Sequence, residues 1–471
     1  MLELTIELQT ICDKCLYEQI YEYICQEIKE GKLLKGERLP STRSLAQNLQ
    51  ISRGTVDMAY AQLLSEGYIE SVPCKGYFVS RIEDLLQLEP HKHMVENLCR
   101  QEDDEDTGKG WICDFSPTRI DMTAFPFSVW RRINKNILSG SNGKLFERGH
   151  AQGDYELRET IARYLHASRG VNCTPGQIIV GAGNDYLLML LEKILGAGIP
   201  MAMENPTYKR AYRIFDSFSY PIVTIDMDNN GLVVEELRKT EAQLTYVMPS
   251  HQYPTGTVMP IGRRSELLHW ANEKENRYLV EDDYDSEFRY KGKPIPSLQA
   301  SDKHGKVIYI GTFSKSIAPA IRVSYMVLPM KLMEKYEKNC FFYSTTVSRI
   351  DQKILDEFIR GGYFERYLNK MRKIYKEKHD LLLEQLEPFQ EMFQVTGENA
   401  GLHLLLTAKG QYEEETLIEK ALECGVKVYG LSDSLVDTGE KKKSQTVILG
   451  YGGLGHQEII EGVEALKRAW L

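Results

Sequence analysis

The chain has no run of about 18 uncharged apolar residues, the minimum for a membrane-spanning helix. Its first ten residues, MLELTIELQT, are acidic and lack the basic stretch that opens a secretory leader. These absences point to a cytoplasmic protein whose nine cysteines stay reduced. The CxxC at Cys12 and Cys15 has no second pair at zinc-binding spacing, so no metal is expected. Internal repeats and long low-complexity tracts are missing, which argues against a solenoid or a disordered scaffold. Positive charge is in deficit: the net charge is −9. That excludes a basic nucleic-acid coat over the whole chain, but not a local basic patch. The remainder is ordinary for globular protein, with 42% hydrophobic and 27% charged residues. At 471 residues it is too long for one core.

The sequence divides into three zones. Residues 10–80 read as a compact helical motif with two short strands. Residues 81–110 end in QEDDEDTGKG, an acidic run without helical or strand period, and read as a linker. From 111 to 471, apolar strand-like runs (QIIVGAG, LTYVMPS, RYLVEDDYD, KVIYIGTF) alternate with helical stretches, which predicts an α/β domain with a mainly parallel sheet.

In the first zone Leu16, Ile20, Ile24 and Ile28 recur every four residues, the mark of one buried helix face, with Gly31 ending the helix. Ser41 or Thr42 caps a second helix that buries Leu45, Ala46 and Leu49, and Ser52 caps a third with Val56, Ala59, Tyr60 and Leu63 inward. YIESVPCKGYFVS reads as two strands around a turn. The pattern is a helix-turn-helix with a β-wing. Arg53, Gly54 and Thr55 open the helix that would enter a major groove, with Arg43 and Lys75 able to reach the same surface. From Lys32 to Val56 there are five basic residues against the single acid Glu37, so a basic patch exists locally. A protein-binding winged helix is the alternative.

The string GERLPSTRSLAQNLQISRGTVDMAYAQLLSEGYIES…KGYFVS resembles the DNA-binding domain of the GntR family. The resemblance implies that Arg43, Ser52, Arg53 and Thr55 contact DNA and that Lys75 and Gly76 form the wing tip.

The last zone holds four stretches that read as parts of one site. IIVGAGNDYLLMLL is a strand, a small-residue turn and a helix, so Gly183 and Asn184 present backbone N–H groups to an anion. RYLVEDDYDSEF ends a strand in Glu281, Asp282 and Asp283, where sheets of this type place ligands; one carboxylate could hold a protonated ring nitrogen. Metal binding and helix capping are the alternatives, although no histidine lies nearby in sequence. In SKSIAPAIR, Lys315 sits among small and apolar residues, where it could form an imine, and Arg322 could clamp a phosphate. In ENPTYKRAYR, Tyr208 offers an aromatic face. Together these are the parts that pyridoxal phosphate requires.

MPSHQYPTG, EDDYDSEF, GTFSKSIAPAIR and DFSPTRIDMTAFPFSVWRR resemble the fold type I, class I aminotransferases, and specifically the MocR-type regulators that join such a domain to a GntR head. The resemblance implies a small α+β winged helix-turn-helix followed by an α/β aminotransferase-like fold. It implies Lys315 as the Schiff-base lysine, Asp282 against the pyridine nitrogen, Tyr284 on the ring's 3-oxygen and Tyr208 stacked on the ring. Ser314 and Arg322 would hold phosphate with Gly183 and Asn184. Three positions depart from the pattern. Tyr253 stands where many aminotransferases have an asparagine. Arg148 stands where a tyrosine often reaches the partner subunit's phosphate. Ile448 stands about where the arginine that clamps a substrate carboxylate is kept, which makes Arg210 and Arg213 candidates for an effector carboxylate.

The expected function is that of a homodimeric, pyridoxal phosphate-dependent regulator that binds paired DNA half-sites and senses an amino acid or other amine by aldimine exchange at Lys315. A true aminotransferase that also binds DNA is the alternative. A regulator that has lost the cofactor and uses the domain only to dimerise is a third reading.

Overall fold

The structure, a computed structural model, describes Ile6, Leu8 and residues 14–80, 110–139, 143–290, 295–410, 412–436 and 444–471. Cys12, the start of the 10–80 zone and all of the expected linker except Gly110 lie outside the described residues. The chain separates into two compact units, residues 1–108 and 109–471, and each is described by itself.

In the first unit, α1 (Leu16–Lys29) buries Ile20, Ile24 and Ile28 at the expected spacing, while Leu16 is half-buried. The Ser41 hydroxyl accepts the Ser44 N–H at 3.1 Å, so Ser41 rather than Thr42 caps α2 (Thr42–Leu49), and Thr42 turns inward. Leu45 and Ala46 are buried; Leu49, in the last turn before the left-handed Gln50, is only half-buried. Ser52 caps α3 (Arg53–Ser65) by accepting the Thr55 N–H at 3.2 Å, and Val56, Ala59, Tyr60 and Leu63 are buried as expected. Tyr60 donates to the Pro40 carbonyl at 2.9 Å, tying α3 to the loop before α2. Strands β1 (Ile69–Val72) and β2 (Gly76–Val79) pair antiparallel from Ile69 with Val79 to Val72 with Gly76.

The second unit opens with the short strand β3 (Cys113–Asp114). Its main sheet uses β4 (Ile178–Gly181), β5 (Met201–Asn205), β6 (Ile222–Asp228), β7 (Gly231–Leu232), β8 (Leu244–Val247), β9 (Tyr278–Asp283), β10 (Val307–Thr312) and β11 (Ser324–Val327). Their order across the sheet is β4-β11-β10-β9-β8-β5-β6-β7. β6, β5, β8, β9 and β10 run parallel, whereas β11 is antiparallel to both neighbours and β7 to β6. The central strands are buried on both faces, which is why they read as unbroken apolar runs rather than alternating ones. A second sheet is antiparallel, with β12 (Phe393–Thr396), β13 (His403–Ala408) and β16 (Thr446–Gly450) in sequence and β15 (Tyr429–Gly430) at the edge. β14 (Val426–Lys427) pairs parallel with β3.

The helix Tyr363–Gln385, about 35 Å long at 1.5 Å per residue, joins the two lobes. Phe364, Leu368, Met371 and Tyr375 pack into the core beside the large sheet, and one turn past Lys378, Leu382 enters the core of the small one. Among the described residues no helix is long and apolar enough to cross a membrane.

Candidate functional site

Strand register explains why residues far apart in sequence meet. Gly181 of β4 lies opposite Ser324 of β11, which lies opposite Thr312 of β10, and Gly311 of β10 lies opposite Asp283 of β9. The chain leaving β4 therefore carries Gly183 and Asn184 to the sheet edge where β9 ends in Asp282 and Asp283. The chain leaving β10 brings Ser314 and Lys315 there, and Arg322 arrives just before β11 begins.

At that edge the helix Asn184–Leu195 starts behind Gly183, whose φ of +93° is open to glycine and strained for other residues. A Cβ on Gly183 would lie 2.6 Å from the Arg322 guanidinium, so that cation is packed against the helix N-terminus. Arg322 and Arg210 each approach Asp185 Oδ2 at 3.4 Å. The expected effector arginine Arg210 thus lies beside the expected phosphate arginine, and both are exposed, as are Arg213 and Arg148. Two guanidiniums and a helix N-terminus converging there suit a dianion.

Asp282 is buried and accepts from Asn184 Nδ2 at 3.0 Å and from the Tyr246 hydroxyl. Burial raises its pKa to about 6, opposed by those two donors. Tyr284 is 3.0 Å from His251 Nδ1, and burial followed by the Asp285 charge holds its phenol protonated. The Tyr208 ring lies edge-on to Tyr253 at 6.0 Å, and Tyr253 edge-on to Tyr284 at 6.1 Å. Lys315 is half-buried and donates to the carbonyls of Pro117 at 3.0 Å and Thr118 at 3.2 Å. Burial lowers its pKa to about 8, partly opposed by the Asp285 carboxylate. Ser314 is half-buried next to it.

Several members of this cluster have no sequence signal. No histidine lies near Asp282 in sequence, yet the loop after β8 brings His251 Nδ1 to 2.9 Å from Asp285. His403 from the second sheet stands 5.4 Å from the His251 ring; its Nε2 lies 2.8 Å from the Pro254 carbonyl oxygen, and burial lowers its pKa to about 4. Tyr246, which shares Asp282 with Asn184, looked like an ordinary strand residue. Ile448 is buried in β16, opposite Leu405 and Tyr429, and supplies no charge.

The first unit presents a second candidate surface. Arg43 and Lys75 are exposed, and Arg53 is exposed with a 3.4 Å ion pair to Asp57 one turn on. Such a surface pair costs little to break, so Arg53 is available to a phosphate or a base. Ser52 and Thr55 share a 2.9 Å hydroxyl contact at the start of α3. At the wing, Gly76 has a φ of +109° and packs by Arg38, one of the five basic residues of the local patch.

Residues 16–79 match the model of bacterial regulatory proteins of the gntR family, and residues 121–435 match that of aminotransferase class I and II. Over its whole length the chain is 41% identical to the HTH-type transcriptional regulator YdeL of Bacillus subtilis strain 168, covering 100% of both. It is 33% identical to the probable rhizopine catabolism regulatory protein MocR of Rhizobium meliloti, over 98% of this chain and 94% of that one. The chain belongs to the MocR subfamily of gntR-family regulators. The fold of its larger unit is shared with kynurenine aminotransferase of Pyrococcus horikoshii, solved with PMP, at a TM-score of 0.67 and 26% identity, over 80% of this chain and 94% of that one.

Pyridoxal phosphate is the cofactor this MocR-type chain is built for. Its residues fit the group. Arg322 and Arg210 beside Gly183 suit the phosphate, and Asp282 suits a protonated ring nitrogen. Among the described residues, Asn184 Oδ1 and the Ser316 hydroxyl are buried at the same edge without a hydrogen-bond partner. The gntR-type head makes the MocR-type chain a DNA-binding protein.

Proposed function

We propose that this protein is a transcriptional regulator whose DNA affinity is set by an amine that reacts at a pyridoxal phosphate held on Lys315. The observation that carries the reading is Lys315 itself. It is a half-buried lysine with its pKa lowered to about 8, at the sheet edge that also gathers Asp282, Asn184 and Arg322, in a chain that bears a gntR-type head. When bound, the cofactor supplies an aldehyde carbon that exchanges one amine for another. The chain's own residues do the rest. Lys315 supplies the anchoring nitrogen. Asp282 holds the ring nitrogen's proton, and Tyr284 donates its phenol proton to the ring's 3-oxygen. Tyr208 covers the ring, and Ser314, Arg322, Gly183 and Asn184 hold the phosphate. Arg210 binds either that phosphate or an effector carboxylate. In the head, Arg43, Ser52, Arg53, Thr55, Lys75 and Gly76 face DNA. We place the protein in the cytoplasm as a homodimer on paired half-sites. The division into a head, residues 10–80, a linker, residues 81–110, and an effector domain, residues 111–471, belongs to the same reading. Turnover as an aminotransferase is the second reading, favoured by the match of residues 121–435 to aminotransferase class I and II.

The test is fluorescence anisotropy with a duplex that the wild-type protein selects from a random library, repeated with a panel of amines. The affinity is expected to change for at least one amine in the cofactor-loaded wild type and for none in Lys315→Ala. Equal responses in both proteins overturn the reading.

Two further outcomes follow. Arg53→Ala is expected to lose about 10- to 100-fold in affinity for the selected duplex, the worth of one good base contact. It should keep salt-dependent binding to random DNA, and unchanged specific affinity refutes the assignment. Attachment of the cofactor requires neutral Lys315. Its initial rate is expected to climb as pH rises through about 8, the lowered value of that amine, rather than near the ~10.4 of an ordinary lysine. The linkage has the same origin. A native pKa below the unfolded one makes the protonated amine oppose folding fully below about pH 8, and the cost fades as pH rises towards ~10.4. A rate that is flat between pH 7 and 9 contradicts this environment for Lys315.

A further inference from the structure

The lysine amine touches one stretch of backbone, and that stretch is the first part of the larger unit's chain after residues 81–109. Phe115 is fixed at its near end. Its N–H donates to the Lys427 carbonyl at 3.0 Å, and its carbonyl accepts the Gly450 N–H at 2.8 Å. Asp121 is fixed at the far end. Its N–H donates to the Tyr375 hydroxyl at 3.1 Å, and its carboxylate meets buried Lys378 at 2.6 Å. Between these anchors Ser116 crosses so close to Gly450 that a Cβ there would lie 2.3 Å from the Ser116 carbonyl oxygen. The middle of the bridge, Pro117 and Thr118, offers its carbonyls to Lys315 Nζ at 3.0 and 3.2 Å.

We propose that residues 116–120 are a sensing segment whose backbone order depends on the chemical state of Lys315. The proposal rests on the reading of Lys315 as the cofactor's anchor. A free lysine amine can give protons to both carbonyls at once. A lysine nitrogen double-bonded to the cofactor's carbon carries at most one proton and cannot hold both. Exchange proceeds without redox change. The incoming amine nitrogen bonds to the cofactor's carbon and the bond from that carbon to lysine nitrogen breaks. The protons given up by the incoming nitrogen balance those gained by the departing amine. The released amine then holds Pro117 and Thr118. Because the bridge is pinned at both ends, a change in its middle is borne by residues 116–120 rather than spread along the chain. The effector's amine therefore acts on residues 116–120 through the lysine it displaces, not through its own contacts there.

Methoxyamine serves as the probe, since it takes the cofactor from lysine whatever the natural effector is. Hydrogen–deuterium exchange is followed across residues 112–123 in the full-length, cofactor-loaded protein, before and after methoxyamine. In the wild type, exchange within 116–123 is expected to slow about ten-fold, as a charge-assisted hydrogen bond to the bridge forms. Lys315→Ala holds the cofactor without a bond to lysine and gives the same methoxyamine product, so its exchange is expected to stay unchanged. Equal slowing in both proteins, or slowing in neither, overturns the sensing role of residues 116–120 while leaving the cofactor reading intact. A wild type that shows no lysine-bound cofactor in the visible spectrum overturns both together.

Discussion

Lys315→Ala abolishes covalent attachment of pyridoxal phosphate. After treatment with borohydride, mass spectrometry of wild-type peptides finds the cofactor on the peptide containing Lys315, and in the variant on none. The effect is complete because, among the described residues, the other buried lysines are committed elsewhere. Lys209 donates to the Leu435 carbonyl at 3.1 Å, Lys306 to the carbonyls of Lys274 and Glu275, and Lys378 is committed to Asp121. The variant retains the cradle of Gly183, Asn184 and Arg322, so weaker, non-covalent binding persists and is removed by dialysis. Lys315→Arg keeps the positive charge and cannot form the bond, so it shows the same loss. A cofactor-bearing peptide from Lys315→Ala refutes the assignment of the anchor.

Lys378→Met lowers the stability of the larger unit by about 3–5 kcal/mol, the cost of leaving one member of a buried ion pair without its partner. Asp121 and Lys378 are both under 10% exposed. The Asp121 carboxylate also accepts from Thr123 within its own turn, from the N–H at 2.7 Å and the hydroxyl at 2.6 Å. Asp121→Asn combined with Lys378→Met removes both charges and is expected to recover most of the loss in a urea titration. The pH dependence has a definite sign. Burial pushes the Asp121 carboxyl up, but the Lys378 ammonium and the Thr123 donors outweigh it and hold the pKa below the usual value. The stabilisation is therefore present above the unfolded ~3.9 and is lost as pH falls through the native value. Lys378→Met should lose that acid-side dependence. A variant as stable as the wild type would show that the Asp121 anchor at the far end of the bridge carries no load.

The parts of this molecule legible in the sequence are those with a local signal. α1 to α3 could be placed because a four-residue apolar period and serine caps act within one or two turns, and the wing because Lys75-Gly76 closes a four-residue turn. Gly183, Asp282, Lys315 and Arg322 were legible because each sits at the end of a strand, where apolar runs stop and polar residues begin. The pairs that shape their chemistry were not. Tyr246 reaches Asp282 from 36 residues away, His251 reaches Asp285 from 34, Lys315 reaches Pro117 from 198 and Lys378 reaches Asp121 from 257. No spacing rule links such residues. Sheet order and register bring them together, and these follow from the packing of the whole unit. His251 shows the consequence most clearly, since proximity in sequence argued that the acidic strand end had no histidine partner.

The most direct test of the central claim is the visible absorption of the purified, cofactor-supplied protein as a panel of amines is added, with Lys315→Ala alongside. The account predicts a lysine-bound band in the wild type that shifts on addition of an effector amine and then persists, with no such band in the variant. Progressive bleaching to the pyridoxamine form would contradict sensing in favour of turnover. No band in the wild type, even with pyridoxal phosphate in excess, would contradict the assignment of the site itself.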